Sequence, residues 1–489
     1  MNDTPREELG ELRRSAASGA RWTALATGTR VVTQFVQLAF LGRLLGSASD
    51  FGMFAMVNVV VVLGQSFADV GISNAIIHYQ DATRRELSSL YWLHILAGFV
   101  VFGVAYAFAP LVAAFYHEPS LIAPLRVGVF VFLIAPVGQQ FQVLMEKEFL
   151  FRRLAAIETT ATVIGAVIAV ACAWQGKGVH SLVYGLVAAV AVKALALAVM
   201  GWRRWRPAPV LKLSLCRRFL RFGAFQVGER MVQALGQQLD KILIGVLMGP
   251  SALGYYDLAY RLVVRPFQMI NPIFTRVGFP VFARVQDDVL RLRKGFLHLV
   301  EVIAAVLAPV YAMMIALAVP FIHVQLGPDY DPSIRLLRIL SLLGFLLGLG
   351  NPIGSVILAR GRADVAFYLN VLRLFVLAGA ITIGSRFGLE GIAWGLVAAI
   401  FFVMIPIGFR LRYWLIDLRA MPYLSTIAPF LIPAAVSGVV GYVLTTHLPW
   451  QNDFVILGIT LPVTGIIYLG LLRIFHPERL RRIWSLARS

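Results

Sequence analysis

Apolar runs of about 20 or more residues recur roughly every 33 residues along this chain, and that spacing constrains the fold more than any motif does. A helix needs about 20 apolar residues to cross the hydrocarbon core of a bilayer, whereas a barrel strand needs only about ten. In lipid every backbone N–H must find its acceptor inside the protein, so runs of this length are helices. They cover residues 19–42, 51–77, 88–115, 120–145, 151–174, 179–202, 219–248, 253–281, 295–326, 333–359, 364–385, 389–413, 423–447 and 453–474, which predicts about fourteen transmembrane helices. Of the 489 residues 59% are hydrophobic and only 14% charged, with a mean hydropathy of +0.78, a composition no water-facing surface of this size tolerates. The expected fold class is an all-α integral membrane protein.

Basic residues stay on the cytoplasmic side of a membrane. The termini and even-numbered connections hold 31 of the 44 Lys and Arg, among them Arg84, Arg85, Lys147, Arg152, Arg203 and Arg204. The odd connections hold about five, including Arg43, Lys177 and Arg335. Both termini and the 203–218 connection are therefore expected in the cytoplasm. The net charge of +19 is then mostly topology, and no connection is long enough to hold a nucleic-acid-binding domain. Residues 1–17 are polar and mixed in charge, which predicts no cleaved signal peptide. Cys172, inside a span, and Cys216, in a cytoplasmic connection, are kept apart by this topology, so no disulfide is expected.

The sequence also repeats itself. Gly178-Val-His-Ser-Leu-Val-Tyr-Gly-Leu-Val-Ala-Ala189 returns 210 residues later as Gly388-Leu-Glu-Gly-Ile-Ala-Trp-Gly-Leu-Val-Ala-Ala399. At an offset of 200, Arg21, Trp22, Ala24, Gly28 and Arg30 meet Arg221, Phe222, Ala224, Gly228 and Arg230, and Gly42 and Gly46 then match Gly245 and Gly249. The repeated unit is six helices, an even number, so both copies enter the membrane in the same orientation and are related by a pseudo-two-fold axis along its normal. The expected organisation is an N-terminal lobe at 1–202, a cytoplasmic linker at 203–218, a second lobe at 219–418, two appended helices at 419–474 and a basic cytoplasmic tail at 475–489.

A charge at bilayer depth costs roughly 3 kcal/mol even on the lenient insertion scale, so such a residue faces a cavity or a partner. Arg30 and Arg230 are repeat-equivalent, and each has glutamines on nearby turns: Gln34 and Gln37 in one case, Gln226, Gln233 and Gln237 in the other. Such a stripe reads as a face toward water or substrate. Asp257, Arg261 and Arg265 recur at i, i+4 and i+8 on one helix face, followed by Gln268 and Asn271. Two guanidiniums on one face suit a diphosphate, because each planar fork holds two oxygens; alternatively Asp257 neutralises Arg261. Asp69, Glu158 and Asp257 are candidates for coupling to H+ or Na+, and equally for counter-ions of the arginines. Asn271 aligns with Asp69 at an offset of 202, so the same depth is polar in both halves. Lys193 and Arg373 read as either cavity groups or structural pairs, and Arg126 and Lys241, near helix ends, as snorkelling groups.

Enzyme signatures are missing: the eight histidines are scattered, and neither HExxH nor CxxC occurs. No metal or organic cofactor is expected. Gly348-Leu-Gly350-Asn-Pro-Ile-Gly354 and Asn271-Pro272 are expected to break their helices. The extracytoplasmic connections are too short to build the active site of a glycan polymerase or ligase, which is the competing class.

Leu41-Gly-Arg-Leu-Leu-Gly-Ser-Ala-Ser-Asp-Phe-Gly52, Asp69-Val-Gly-Ile-Ser-Asn-Ala75, Gly254-Tyr-Tyr-Asp-Leu-Ala-Tyr260, Phe279-Pro-Val-Phe-Ala-Arg-Val-Gln-Asp-Asp288 and Ala359-Arg-Gly-Arg-Ala-Asp364 carry a family resemblance over nearly the whole chain. The sequence resembles the polysaccharide transporter family of the multidrug/oligosaccharidyl-lipid/polysaccharide (MOP) flippase superfamily, in particular bacterial exporters of the colanic-acid and teichuronic-acid type. The resemblance implies a flippase that moves undecaprenyl-diphosphate-linked oligosaccharide repeat units across the bacterial inner membrane, working beside polysaccharide polymerase and export machinery, as a monomer. Lipid II flippases of the superfamily use cavity arginines on helices 1, 2 and 8; Arg30 and Arg265 fall on two of these, while helix 2 offers no basic residue here. Drug exporters of the superfamily have twelve helices and an acidic cavity. Those two activities are the same-fold alternatives. In lipid II flippases the last two helices form a groove for the isoprenoid tail, which assigns that role to residues 423–474.

Overall fold

The computed structural model describes residues 26–69, 71–79, 81–447 and 452–488; the side chains of Gln226, of 269–281 and of a few other helical positions are outside the description. Every regular element among the described residues is helical. In the first half these are α1 (26–45), α2 (Ala48–Ala68), α3 (Ile72–His78), α4 (Arg84–Phe115), α5 (Ile122–Gly128), α6 (Val131–Lys147), α7 (Phe151–Trp174), α8 (Val179–Trp202) and α9 (Leu213–Arg284). There follow α10 (Val289–Ala316), α11 (Ala318–Gln325), α12 (Pro332–Gly350), α13 (Pro352–Ala359), α14 (Ala363–Gly384), α15 (Gly388–Ala399), α16 (Ile405–Ile416), α17 (Ala420–His447), α18 (Asp453–Phe475) and α19 (Pro477–Arg488).

Eleven stretches among the described residues are long and apolar enough to cross a membrane, so the chain is a multi-pass membrane protein. Two of them, Val227–Gln268 and Asp364–Ile416, run to 42 and 53 residues, more than twice one crossing. Each is interrupted at a glycine with φ near 78°, Gly249 and Gly388. Side chains rarely tolerate such a backbone and glycine does. Their repeat partners behave alike: Gly46 has φ 60° and Gly178 φ 53°. A Cβ on Gly185 would collide with the Gly165 carbonyl and one on its repeat partner Gly395 with the Ala380 carbonyl, so both sites bring two helix backbones close.

Several boundaries differ from the sequence expectation. α4 begins four residues early because Thr83 Oγ1 accepts the Glu86 N–H (3.3 Å) while Glu86 accepts the Thr83 N–H (2.8 Å), a reciprocal cap. The expected 51–77 span ends early, at Ala68, and restarts after Gly71, whose φ is 66°. The break expected at Asn271-Pro272 is absent: α9 stays helical to Arg284, its non-helical residue being Gly249. A proline removes one donor, and a membrane helix continues through it when adjoining turns hold. The break expected near Gly350 is likewise not a sharp one: Asn351, between α12 and α13, keeps helical φ and ψ (−61°, −39°), and Pro332–Ala359 runs on as one 28-residue apolar stretch.

Contacts group the chain into two units, Met1–Ser251 and Ala252–Ser489. In the first, the 203–218 segment is tied to the start of α4: Trp92 Nε1 donates to the Ala208 carbonyl (2.9 Å) and Ser89 Oγ to the Val210 carbonyl (3.1 Å). Arg218 bridges Asp81 (2.8 Å) and Glu86 (3.0 Å), and its hydrogen bond holds the Asp81 carboxyl below the usual range. In the second unit, α17 packs along α10, and Tyr468 of α18 donates to the Ala305 carbonyl (2.8 Å). His323 sits between Asp331 (2.9 Å) and Asp453 (3.2 Å). Glu301, only 4% exposed, faces Arg479 (3.2 Å) and Arg482 (3.5 Å) of α19 and His298 (3.5 Å).

Ser214 and Asp331 are both exposed. Single cysteines placed there are expected to react with a membrane-impermeant maleimide from opposite faces, the first from the cytoplasm. Cys216 is buried, and burial pushes its thiol up, so its background at neutral pH stays low. Labelling of both cysteines from one face, or in the reversed sense, would overturn the topology.

Candidate functional site

A cavity of about 500 Å³ lies inside the first unit, among α2, α4, α6, α8 and the first arm of α9. The local backbone explains its centre. α2 ends at Ala68 and the left-handed turn at Gly71 leaves Asp69 on the cavity wall. Ser73 Oγ donates to one Asp69 oxygen, and Arg230 of α9 forms an ion pair with the other. His94 of α4 is 3% exposed, with Nε2 3.6 Å from the oxygen that Ser73 holds. Its Nδ1 has no hydrogen-bond partner among the described residues. Asp69 is therefore shared by a guanidinium, a hydroxyl and an imidazole drawn from three further elements.

A second ionic group adjoins the cavity. Glu158 of α7 accepts from Arg30 of α1 (2.9 Å) and from Lys193 of α8 (3.1 Å), and Lys193 itself lines the cavity. Two cations sharing one carboxylate leave a surplus positive charge. The remaining polar lining is mostly amide: Gln65, Gln139, Gln142, Gln233 and Gln237, five of the chain's 16 glutamines, stand on this one cavity.

The structure thus joins Asp69 to Arg230 and Glu158 to Arg30, each across more than 120 residues of sequence. Gln34 and Gln37 are half-buried on α1. In the second unit, on the second arm of α9, Arg261 pairs with the fully buried Asp257 (2.6 Å). Arg265 follows one turn later, half-buried, and Gln268 is exposed. The side chain of Asn271 is outside the description. Sequence reasoning missed His94, Gln65, Gln139 and Gln142; the available signal was a polar residue isolated in an apolar run, with Gln139 and Gln142 on one face at i, i+3. Among the described residues no group of three or more His, Cys, Asp or Glu is placed to hold a metal ion.

Residues 40–335 match the family described as polysaccharide biosynthesis protein. Teichuronic acid biosynthesis protein TuaB of Bacillus subtilis (strain 168) is 35% identical over 469 residues, 94% of this chain and 96% of that protein. The chain belongs to this polysaccharide biosynthesis family. Lipopolysaccharide biosynthesis protein WzxC of Escherichia coli (strain K12) is a further relative, 32% identical over 439 residues, 88% of this chain and 89% of that one. Among solved structures, lipid II flippase MurJ in an inward closed conformation matches with a TM-score of 0.76 at 14% identity, covering 93% of this chain and 99% of that chain. An inward-facing multidrug resistance MATE family transporter of the MOP superfamily matches with a TM-score of 0.62 at 15% identity, covering 79% and 94%. At these identities the likeness is one of fold. The resemblance read from the sequence motifs, to polysaccharide transporters of the MOP superfamily, agrees with both sets of relatives.

Proposed function

We propose that this chain is a flippase: it carries undecaprenyl-diphosphate-linked oligosaccharide repeat units from the cytoplasmic to the outer leaflet of the bacterial inner membrane and breaks no bond. The observation that carries the reading is the polar cavity of the first unit, where Arg230, Lys193 and five glutamines stand inside an apolar membrane bundle. A cavity of that size lies in the range of ligand sites, roughly 300–1,000 Å³. Family membership and the roles in polymer biosynthesis for which TuaB and WzxC are named support the substrate class.

Transport follows alternating access in a two-lobe frame of fourteen crossings. The two longest apolar stretches divide at Gly249 and Gly388 into two crossings each, and α1 adds another. Arg30, Arg230, Arg261 and Arg265, with Gln34, Gln37, Gln268 and Asn271, serve the polar head. Asp69, Glu158 and Asp257 are the groups through which H+ or Na+ would be coupled. α17 and α18, outside the repeat, seat the polyprenyl tail along exposed apolar residues such as Ile432, Val439 and Ile466. Both termini lie in the cytoplasm, and the chain works as a monomer alongside polymerase and export machinery.

Deleting the gene is expected to make lipid-linked repeat units accumulate in the inner leaflet, with the wild-type copy restoring export. Accumulation of single, already translocated units in the outer leaflet would point instead to a polymerase and sink the reading.

A further inference from the structure

The charged groups of the cavity are largely committed. Arg230 is held by Asp69, and Lys193 by Glu158. Apart from Nδ1 of the buried His94, the uncommitted hydrogen-bonding capacity on this wall is that of amides: Gln65, Gln233 and Gln237 are exposed, line the cavity and form no hydrogen bond with any described residue. Gln233 and Gln237 stand at i, i+4 on the first arm of α9, and Gln65 faces the same space from α2.

An amide offers two donors and an acceptor oxygen with two lone pairs. That matches a hydroxyl, which both gives and takes a hydrogen bond. It matches a phosphate poorly, since phosphate oxygens accept only and are best met by cations. We infer that this cavity is the sugar subsite, in which Gln65, Gln233 and Gln237 hold hydroxyl-rich residues of the glycan head while the diphosphate lies elsewhere. The inference rests on the flippase reading and adds to it a division of labour: glutamines read the sugar, arginines outside this wall meet the anion. Uncharged contacts also suit a carrier, because hydrogen bonds exchanged against water are individually weak and release the head after translocation.

The test uses the full chain in lipid nanodiscs and two probes. One is the phosphate-free oligosaccharide released by mild acid from the host strain's own polysaccharide; the other is inorganic pyrophosphate. Replacing both Gln233→Leu and Gln237→Leu is expected to weaken saccharide binding about tenfold, the loss of two ordinary hydrogen bonds, with pyrophosphate binding unchanged. Retained pyrophosphate affinity also reports a folded protein, and Gln65→Leu, on a different helix, repeats the measurement if the double variant does not reach the membrane. Saccharide binding that ignores these substitutions, or an equal loss for both probes, overturns the subsite. Glutamine-dependent saccharide binding by a chain that translocates no lipid-linked glycan sinks the flippase reading and leaves the subsite standing. Normal translocation with glutamine-independent saccharide binding does the reverse.

Discussion

Arg30→Ala is expected to abolish polysaccharide export while the protein inserts and accumulates at its normal level. Glu158 accepts from two cations, Arg30 at 2.9 Å and Lys193 at 3.1 Å. Removing Arg30 leaves the Glu158–Lys193 pair intact and neutral, so the fold loses little. With the Arg30 side chain 41% exposed, the lost pair contributes no more than about 1 kcal/mol. The surplus positive charge beside the cavity disappears, and on the proposed flippase reading that charge is what draws the anionic head group. Arg265→Ala is expected to give the same phenotype, since Asp257 already occupies Arg261 (2.6 Å) and Arg265 is the second cation of that helix face. Complementation of an export-deficient strain, read beside an immunoblot of membrane abundance, measures both quantities. Normal export by both variants would remove the cationic groups from the mechanism.

The Asp69–Arg230 pair carries the second large effect, on stability. Asp69 is 12% exposed and Arg230 33%, so breaking the pair strands a partly desolvated charge. Removing one partner of a fully buried pair costs about 3–5 kcal/mol, and the exposure of Arg230 brings the expectation down to roughly 1–3 kcal/mol. Asp69→Ala is expected to cost more than Arg230→Ala, because among the described residues Arg230 pairs with no other carboxylate. Arg230→Ala leaves Asp69 with Ser73 and with His94 3.6 Å away. The double variant should be destabilised by less than the sum of the singles by about 1 kcal/mol or more. Thermal melting of the four proteins in detergent closes this cycle. Strictly additive costs would mean that the two side chains do not interact.

What the sequence disclosed depended on whether the cause was local. Spans 423–447 and 453–474 reappear as Ala420–His447 and Asp453–Phe475, because in lipid the length of an apolar run is the length of a helix. Arg30, Arg230 and Asp69 stood out for a similar reason: a charge in such a run needs an explanation wherever it occurs. Their pairing was not legible, since Asp69 and Arg230 are 161 residues apart. Neither was the turn that aims Asp69, because Gly71 is one of 42 glycines and only the folded backbone reveals its φ of 66°. His94 in isolation reads as one more residue of a 32-residue helix; its meaning comes from the neighbouring α2. Asn271-Pro272 illustrates the opposite error, where a local signal for a break was overridden by the helix on either side.

Glu301 and the terminal helix α19 have a consequence for the order of synthesis. The carboxylate is 4% exposed, and Arg479 lies 178 positions further along the chain. At about 5–20 residues per second, the ribosome needs roughly 10–40 s to deliver that arginine after Glu301 has been made. Until then the nascent chain holds a carboxylate whose nearby cationic candidate is His298, 3.5 Å away. A message truncated ahead of codon 479 would spare Asp453–Phe475 and every apolar stretch before it, yet deprive Glu301 of both Arg479 and Arg482 and leave it His298.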